Sequence, residues 1–210
     1  MTGILWDLDG TLLDTLADLT DALNHALRTH GHPERTMEEV RTFIGSGARL
    51  LIQRATPAGG DPERVMNLFQ SCYRSHCRVK TKPYDGIVEA LAELGKKYPM
   101  AIVSNKPDGA VKALCDEIFP GIYARGESSD CPRKPAPDMV FKAMETIGVD
   151  RCIYVGDSDV DVQTAKNAGM PCLSVLWGFR DRDEIAAAGG THFCESVSCL
   201  QEKLEELING

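Results

Sequence analysis

Apolar residues come in two rhythms along this chain, and the change of rhythm divides it. Gly3-Ile4-Leu5-Trp6 is a short apolar run that reads as a buried strand. It stops at Asp7-Leu8-Asp9-Gly10, where two carboxylates and a glycine turn replace it. Leu16, Leu19, Leu23 and Leu27 then recur at helical spacing, with Ala22 and Ala26 beside them. This predicts an amphipathic helix to about His30, stopped by Gly31 and Pro33. From Thr36 to Gln70 the apolar positions again fit helices, broken at Gly45-Ser46-Gly47 and at Pro57 to Pro62. Nothing between residues 15 and 80 reads as a strand.

Beyond Lys82-Pro83 helix and strand alternate. Ile87 to Leu94 predicts a helix closed by Gly95, Met100 to Val103 a strand, and Val111 and Leu114 another helix. Pro137 to Ile147 follows as a helix, with proline near its start and Gly148 past its end. Cys152 to Val155 predicts a strand, Ser158 to Ala168 a helix with Gly169 beyond it, Pro171 to Leu176 a strand and Val197 to Ile208 a last helix. Strands separated by single helices imply an α/β protein, a doubly wound parallel sheet covered on both faces. The strandless block reads as an all-helical insertion.

Composition narrows the function. A formal net charge of −8 over 210 residues argues against nucleic acid or an anionic membrane surface as partner. The N-terminus lacks the basic flank and long apolar stretch of a signal peptide, and no run is long enough to span a bilayer. The eight cysteines are scattered without a Cys-x-x-Cys. Cys72, His76 and Cys77 do not have the spacing of a zinc site, so free thiols in a cytoplasmic protein are expected.

Four polar clusters follow strand ends: Asp7/Asp9, Ser104/Asn105, Lys134, and Gly156-Asp157-Ser158-Asp159-Val160-Asp161. Parallel strands all end on one side of a sheet, so the clusters should converge there. Closely spaced carboxylates repel unless a cation or a shared proton holds them, which points to a metal. Asp157, Ser158 and Asp161 also suit a helix N-terminus, and capping is compatible with metal binding. Lys134 lies in a proline-stiffened loop, with Arg133 as the alternative cation, and Lys106 is either a further contact for an anion or a solvated lysine.

Asp-x-Asp-Gly-Thr-x-x-Asp from Asp7, Ser104-Asn105, Lys134 before proline, and Gly-Asp-Ser-x-x-Asp from Gly156 together resemble the haloacid dehalogenase superfamily across nearly the whole chain. The resemblance implies a Rossmann-like core from residues 1–14 and 83–210 and a helical cap over residues 15–82. It implies Asp7 as a nucleophile that accepts a phosphoryl group, and Asp9 as acid and then base. Ser104, Asn105 and Lys134 would meet the phosphoryl oxygens. Mg²⁺ would be held by Asp7, the Asp9 backbone carbonyl and Asp157, with Asp161, Ser158 and Thr11 in support. Arg49, after the Gly45-Ser46-Gly47 loop, is the candidate cap contact with substrate, or else an exposed helical arginine.

An acid at Asp9 separates this chain from the superfamily's dehalogenases. Leu19 stands near where phosphosugar mutases of the β-phosphoglucomutase type carry a histidine. Ile102 to Pro107 and Leu176 to Arg180 look most like the phosphoglycolate phosphatase group. The expectation is a Mg²⁺-dependent phosphatase of a small phosphorylated metabolite, monomeric or homodimeric. Phosphosugar mutase and pyrophosphatase are the alternatives, followed by a catalytically silent binding module on the same fold.

Overall fold

The computed structural model describes residues 1–209. Six parallel strands form its sheet: β1 (Thr2–Trp6), β4 (Met100–Pro107), β5 (Tyr123–Glu127), β6 (Arg151–Gly156), β7 (Cys172–Val175) and β8 (His192–Cys194). Their spatial order is β5-β4-β1-β6-β7-β8. The order reverses at β1, which pairs with β4 on one side and β6 on the other. A crevice therefore opens beyond the carboxyl end of β1, the usual place for a ligand in an open α/β sheet. Asp7 follows that end directly.

Alternation along β1 supplies both faces of the core. Ile4 and Trp6 pack with α5 (Ile87–Leu94), α6 (Asp108–Ile118) and α10 (Leu200–Asn209) through Leu91, Leu114 and Leu204. Leu5 points the other way, with Tyr154, toward Met139, Val140 and Ala143 of α7 (Asp138–Ile147) and Ala165 of α8 (Asp159–Asn167). Trp6 is fully buried, and burying such a side chain stabilises the fold by roughly 1.5–3 kcal/mol.

The helical insertion consists of α1 (Leu16–Thr29), α2 (Met37–Phe43), α3 (Ala48–Ala55) and α4 (Pro62–His76). They share their own apolar cluster, in which Leu19, Leu23, Leu27, Val40, Leu51, Ile52, Val65 and Phe69 are buried. Thr36 and Glu39 form a capping box that starts α2, and Asp61 caps α4 ahead of Pro62. The insertion joins the sheet domain through a two-stranded antiparallel ribbon, β2 (Leu13–Asp14) on β3 (Lys82–Pro83).

The sequence reading needs correction at several elements. β5, β8 and the short helix α9 (Arg182–Ala187) are absent from it. Tyr-Ala-Arg-Gly-Glu is an edge strand with mostly half-buried positions and a glycine, so no apolar run marks it. β8 has three residues, and Ile185 is the buried residue of α9, which leaves no period to detect. The last helix begins at Leu200 after a 3₁₀ turn at Val197–Cys199, and α4 runs on to His76.

Candidate active site

Three strand ends and one loop meet beyond β1. Lys134 projects into the gap, and its Nζ donates to Asp7 Oδ1 at 2.7 Å, Asp161 Oδ1 at 2.8 Å and Tyr154 Oη at 2.9 Å. The three hydrogens of an ammonium have three acceptors. Lys134 is 2 % exposed, so its charge depends on these partners. Burial works against that charge, but Asp161 and then Asp7 hold the lysine well above its ordinary pKa.

One carboxylate oxygen each from Asp7, Asp157 and Asp161 lies within 4.8 Å of the other two. Asp161 is fully engaged: Oδ1 takes Lys134, and Oδ2 accepts from Ser158 N at 3.1 Å and Ser158 Oγ at 2.6 Å. Ser158 and Asp161 thus form the capping box that starts α8. Asp157 Oδ1 accepts from Thr11 Oγ1 at 3.2 Å and its Oδ2 from Phe179 N at 2.7 Å. Glycines make room for this acid: a Cβ on Gly10, whose φ is +88°, would lie 2.3 Å from Asp157 Oδ2, and one on Gly178 would lie 2.3 Å from Asp157 Cβ.

Three buried carboxylates face one ammonium, and the excess negative charge shows in their proton affinities. Burial, and then the Asp161 carboxylate, push Asp157 up to about 7, although Phe179 N and Thr11 act the other way. Asp7 is raised well above the carboxylate range by burial and by Asp161, against the pull of Lys134. A divalent cation fits this arrangement: the donors are all oxygen, they converge, and they lack compensating charge.

The insertion closes over the acids and leaves a cavity of ≈ 200 Å³. Asp7, Asp9, Ser104, Lys106 and Lys134 line the sheet side, and Leu19, Ile44, Leu51, Phe69 and Tyr73 line the opposite wall. Ser104 Oγ accepts from Lys106 N at 3.2 Å, which leaves its hydroxyl proton for another acceptor. Lys106 is buried. Its Nζ donates to Asp9 Oδ1 at 2.7 Å and sits 4.8 Å from the centre of the Tyr73 ring. Burial opposes its charge, yet Asp9 and Tyr73 raise its pKa overall.

Two expected contacts are arranged otherwise. The Asn105 side chain clamps the lysine loop: Oδ1 accepts from Lys134 N at 2.7 Å, and Nδ2 donates to Lys134 O at 2.9 Å and Gly45 O at 3.1 Å. Its amide is therefore committed to backbone rather than aimed at a phosphoryl oxygen. Arg49 does not line the cavity; it is exposed, with Nη1 3.4 Å from Glu63 Oε1. Its place at the N-terminus of α3 turns it outward. Arg74 of α4 lines the cavity instead. Arg133 lies 3.9 Å from Glu127, so Lys134 is the cation among the acids.

Residues 178–180 tie the acid cluster to the insertion. Phe179 N holds Asp157, while the Phe179 ring packs into the insertion's apolar cluster. Arg180 donates to the carbonyls of Arg41 at 2.8 Å and Ile44 at 2.7 Å, at the C-terminus of α2. That helix end has unsatisfied carbonyls and a negative dipole, both of which favour a guanidinium. Tyr154 has no spacing signal as a tyrosine within a buried strand; Arg180 stands in the Leu176 to Arg180 stretch that carries the resemblance, but its bonds to the α2 carbonyls depend on packing that sequence does not show. All eight cysteines are free thiols.

The fold and this constellation define a hydrolase class, and the chain belongs to the haloacid dehalogenase-like hydrolases, whose family model matches residues 4–175. The phosphoglycolate phosphatase of Mesorhizobium japonicum is 36 % identical over 193 residues, covering 85 % of this chain and 84 % of that protein. Phosphoglycolate phosphatase 1 of Pseudomonas aeruginosa is 34 % identical over 212 residues, covering 94 % and 77 %. A solved structure from Lactobacillus delbrueckii subsp. bulgaricus, provisionally named a phosphoglycolate phosphatase, superposes with a TM-score of 0.89 at 36 % identity, covering 96 % of this chain and 97 % of that one. Among the described residues no helix is long and apolar enough to cross a membrane.

Proposed function

We propose that this chain is a divalent-cation-dependent phosphatase acting on a small phosphorylated metabolite of the phosphoglycolate type, with Asp7 as nucleophile. The carrying observation is the bridge from Lys134 to Asp7 and Asp161, at 2.7 and 2.8 Å, at the floor of the cavity between sheet and insertion. Lys134 takes Oδ1 of Asp7, orients the carboxylate and pulls toward its ionised form against the burial and the Asp161 charge that oppose it, which leaves Oδ2 for attack on phosphorus. The Asp7–phosphorus bond forms as the bond from phosphorus to the leaving oxygen breaks, and Asp9 supplies the proton that oxygen needs. In the second half Asp9 takes a proton from water, the water oxygen bonds phosphorus, and the acyl–phosphorus bond breaks to release phosphate and regenerate Asp7.

Lys106 Nζ, 2.7 Å from Asp9 Oδ1, holds that side chain in place at the cavity. Ser104 is the hydroxyl donor for a phosphoryl oxygen, and Lys134, its three hydrogens already taken, offsets phosphoryl charge electrostatically. Mg²⁺, held by Asp7, Asp157 and the Asp9 backbone carbonyl, would neutralise phosphoryl charge when bound, with Asp161, Ser158 and Thr11 fixing Lys134 and Asp157. Helices α1–α4 act as a cap that keeps bulk water from the site.

Leu19 presents an apolar side chain to the cavity where the mutase resemblance requires histidine, which favours transfer to water. The test is phosphate release from phosphoglycolate and from p-nitrophenyl phosphate with Mg²⁺, with a chelator, and by Asp7→Asn. Release confined to the unmodified protein with Mg²⁺ is expected. Equal release in all three arms would refute the mechanism, and isomerised product without free phosphate would favour the mutase.

A further inference from the structure

The cap wall of the cavity contains two groups whose bonding capacity the protein does not use. Tyr73 is 5 % exposed and lines the cavity, and its hydroxyl is buried without a hydrogen-bond partner. Buried hydroxyls are nearly always paired, so an orphan in a cavity wall marks a place for a ligand atom. The Tyr73 ring cannot drift to find a partner: it is stacked on Phe69 at 5.4 Å between ring centres, and Lys106 Nζ lies 4.8 Å from its own centre. The next residue, Arg74, is exposed but also lines the cavity, and among the described residues it makes no ion pair or side-chain hydrogen bond.

The other cavity cations are spoken for. Lys134 bridges Asp7 and Asp161, and Lys106 is 2.7 Å from Asp9. Arg74 is therefore the cavity's uncommitted cation, next in α4 to the residue that carries its uncommitted hydroxyl, on the wall the insertion supplies. A guanidinium fork and a phenolic donor suit a carboxylate, which accepts on two oxygens. Leu19, Ile44, Leu51 and Phe69 line the same cavity and lower the dielectric around the buried Tyr73 hydroxyl, which strengthens its side of such a contact.

We infer that Tyr73 and Arg74 form a subsite for a second anionic group on the substrate, a carboxylate carried by the alcohol half of the phosphate ester. This rests on the phosphatase reading above and assigns its specificity. The subsite selects phosphorylated hydroxy acids over neutral alkyl phosphates, and neither residue handles the reacting phosphorus.

The test compares phosphoglycolate with ethyl phosphate, which has a methyl group in place of the carboxylate, and with pyrophosphate. Steady-state constants are measured for the unmodified protein, Tyr73→Phe, Arg74→Gln and Arg74→Lys. The ratio of kcat/KM for phosphoglycolate over ethyl phosphate should fall about ten- to a hundredfold in Tyr73→Phe and in Arg74→Gln, the worth of one hydrogen bond to a charged group. The fall should lie mainly in KM, and Arg74→Lys should retain part of the preference. Tyr73→Phe removes an unpaired buried oxygen, so its melting temperature should not drop, which separates lost recognition from lost folding.

An unchanged ratio in both variants, or an equal loss on both esters, would overturn the subsite. A preference for pyrophosphate that disappears in the same variants would overturn the carboxylate assignment in favour of a second phosphate. Failure of the unmodified protein to hydrolyse any of the three esters would overturn the phosphatase reading itself, and is distinguishable from the preceding results.

Discussion

Replacing Lys134 by methionine removes one ammonium from the centre of the acid cluster and keeps most of the side-chain volume. Asp7 and Asp161 then lose their bridge at 2.7 and 2.8 Å, and Tyr154 loses its donor at 2.9 Å. Breaking a buried ion pair from one side leaves an uncompensated charge and costs about 3–5 kcal/mol. For a chain of 210 residues that corresponds to a fall in Tm of roughly 6–20 °C at neutral pH. The sign of the pH dependence follows from the acids. Asp7 and Asp157 are already raised above their unfolded-state values, Asp157 to about 7, and losing the lysine raises Asp7 further. A group with a raised folded-state pKa takes up a proton on folding, so stability returns as pH falls through that pKa. Thermal unfolding of both proteins in chelator at pH 8 and pH 5 measures it. A large deficit at pH 8 that shrinks at pH 5 is expected. A deficit below about 1 kcal/mol at pH 8, or one of equal size at both pH values, would refute the reasoning.

Further outcomes follow from the same geometry. In chelator, the unmodified protein should lose stability between about pH 4 and pH 7 as Asp157 ionises, by at most on the order of 4 kcal/mol for a shift from 3.8 to about 7. Added Mg²⁺ should restore it at pH 8 and do little at pH 5, and equal gains in Tm at both would contradict the acid cluster as its site. Arg180→Ala removes the donors to the carbonyls of Arg41 and Ile44; amides of residues 44–51 should exchange faster and kcat/KM should fall about tenfold. Unchanged exchange there would show that Arg180 does not hold the cap. Asn105→Ala leaves the Lys134 backbone N–H unpaired and should cost about 1–3 kcal/mol with a fall in kcat. A rise in KM for phosphate esters with full stability would instead make Asn105 a substrate contact.

The parallel sheet, its helices and the helical insertion were legible because each long element carries its own period. Ile4 and Trp6 face one side of the sheet and Leu5 the other, and the leucines of α1 fall on one stripe. The convergence of Asp7, Lys134, Asp157 and Asp161 was legible because parallel strands end on the same side. Short and edge elements were not: β5 is largely half-buried and polar, and β8 ends after three residues. Side-chain direction was the other hidden quantity. The strand reading stops at Val103 and leaves Asn105 just past its end, whereas β4 runs on to Pro107 and the Asn105 amide turns onto the lysine loop. Arg49 and Arg74 are both arginines of the insertion, and their difference is the helix face each occupies, which only packing decides.

The claim on which the account turns is that the carboxylate held by Lys134 becomes covalently phosphorylated. Mixing enzyme, Mg²⁺ and phosphoglycolate, quenching in acid within a turnover and mapping peptide masses tests it directly. The account predicts one added phosphoryl group on the peptide containing Asp7, absent in Asp7→Asn. Phosphate release at full rate from Asp7→Asn, or a phosphoryl group trapped on any other residue, would contradict it.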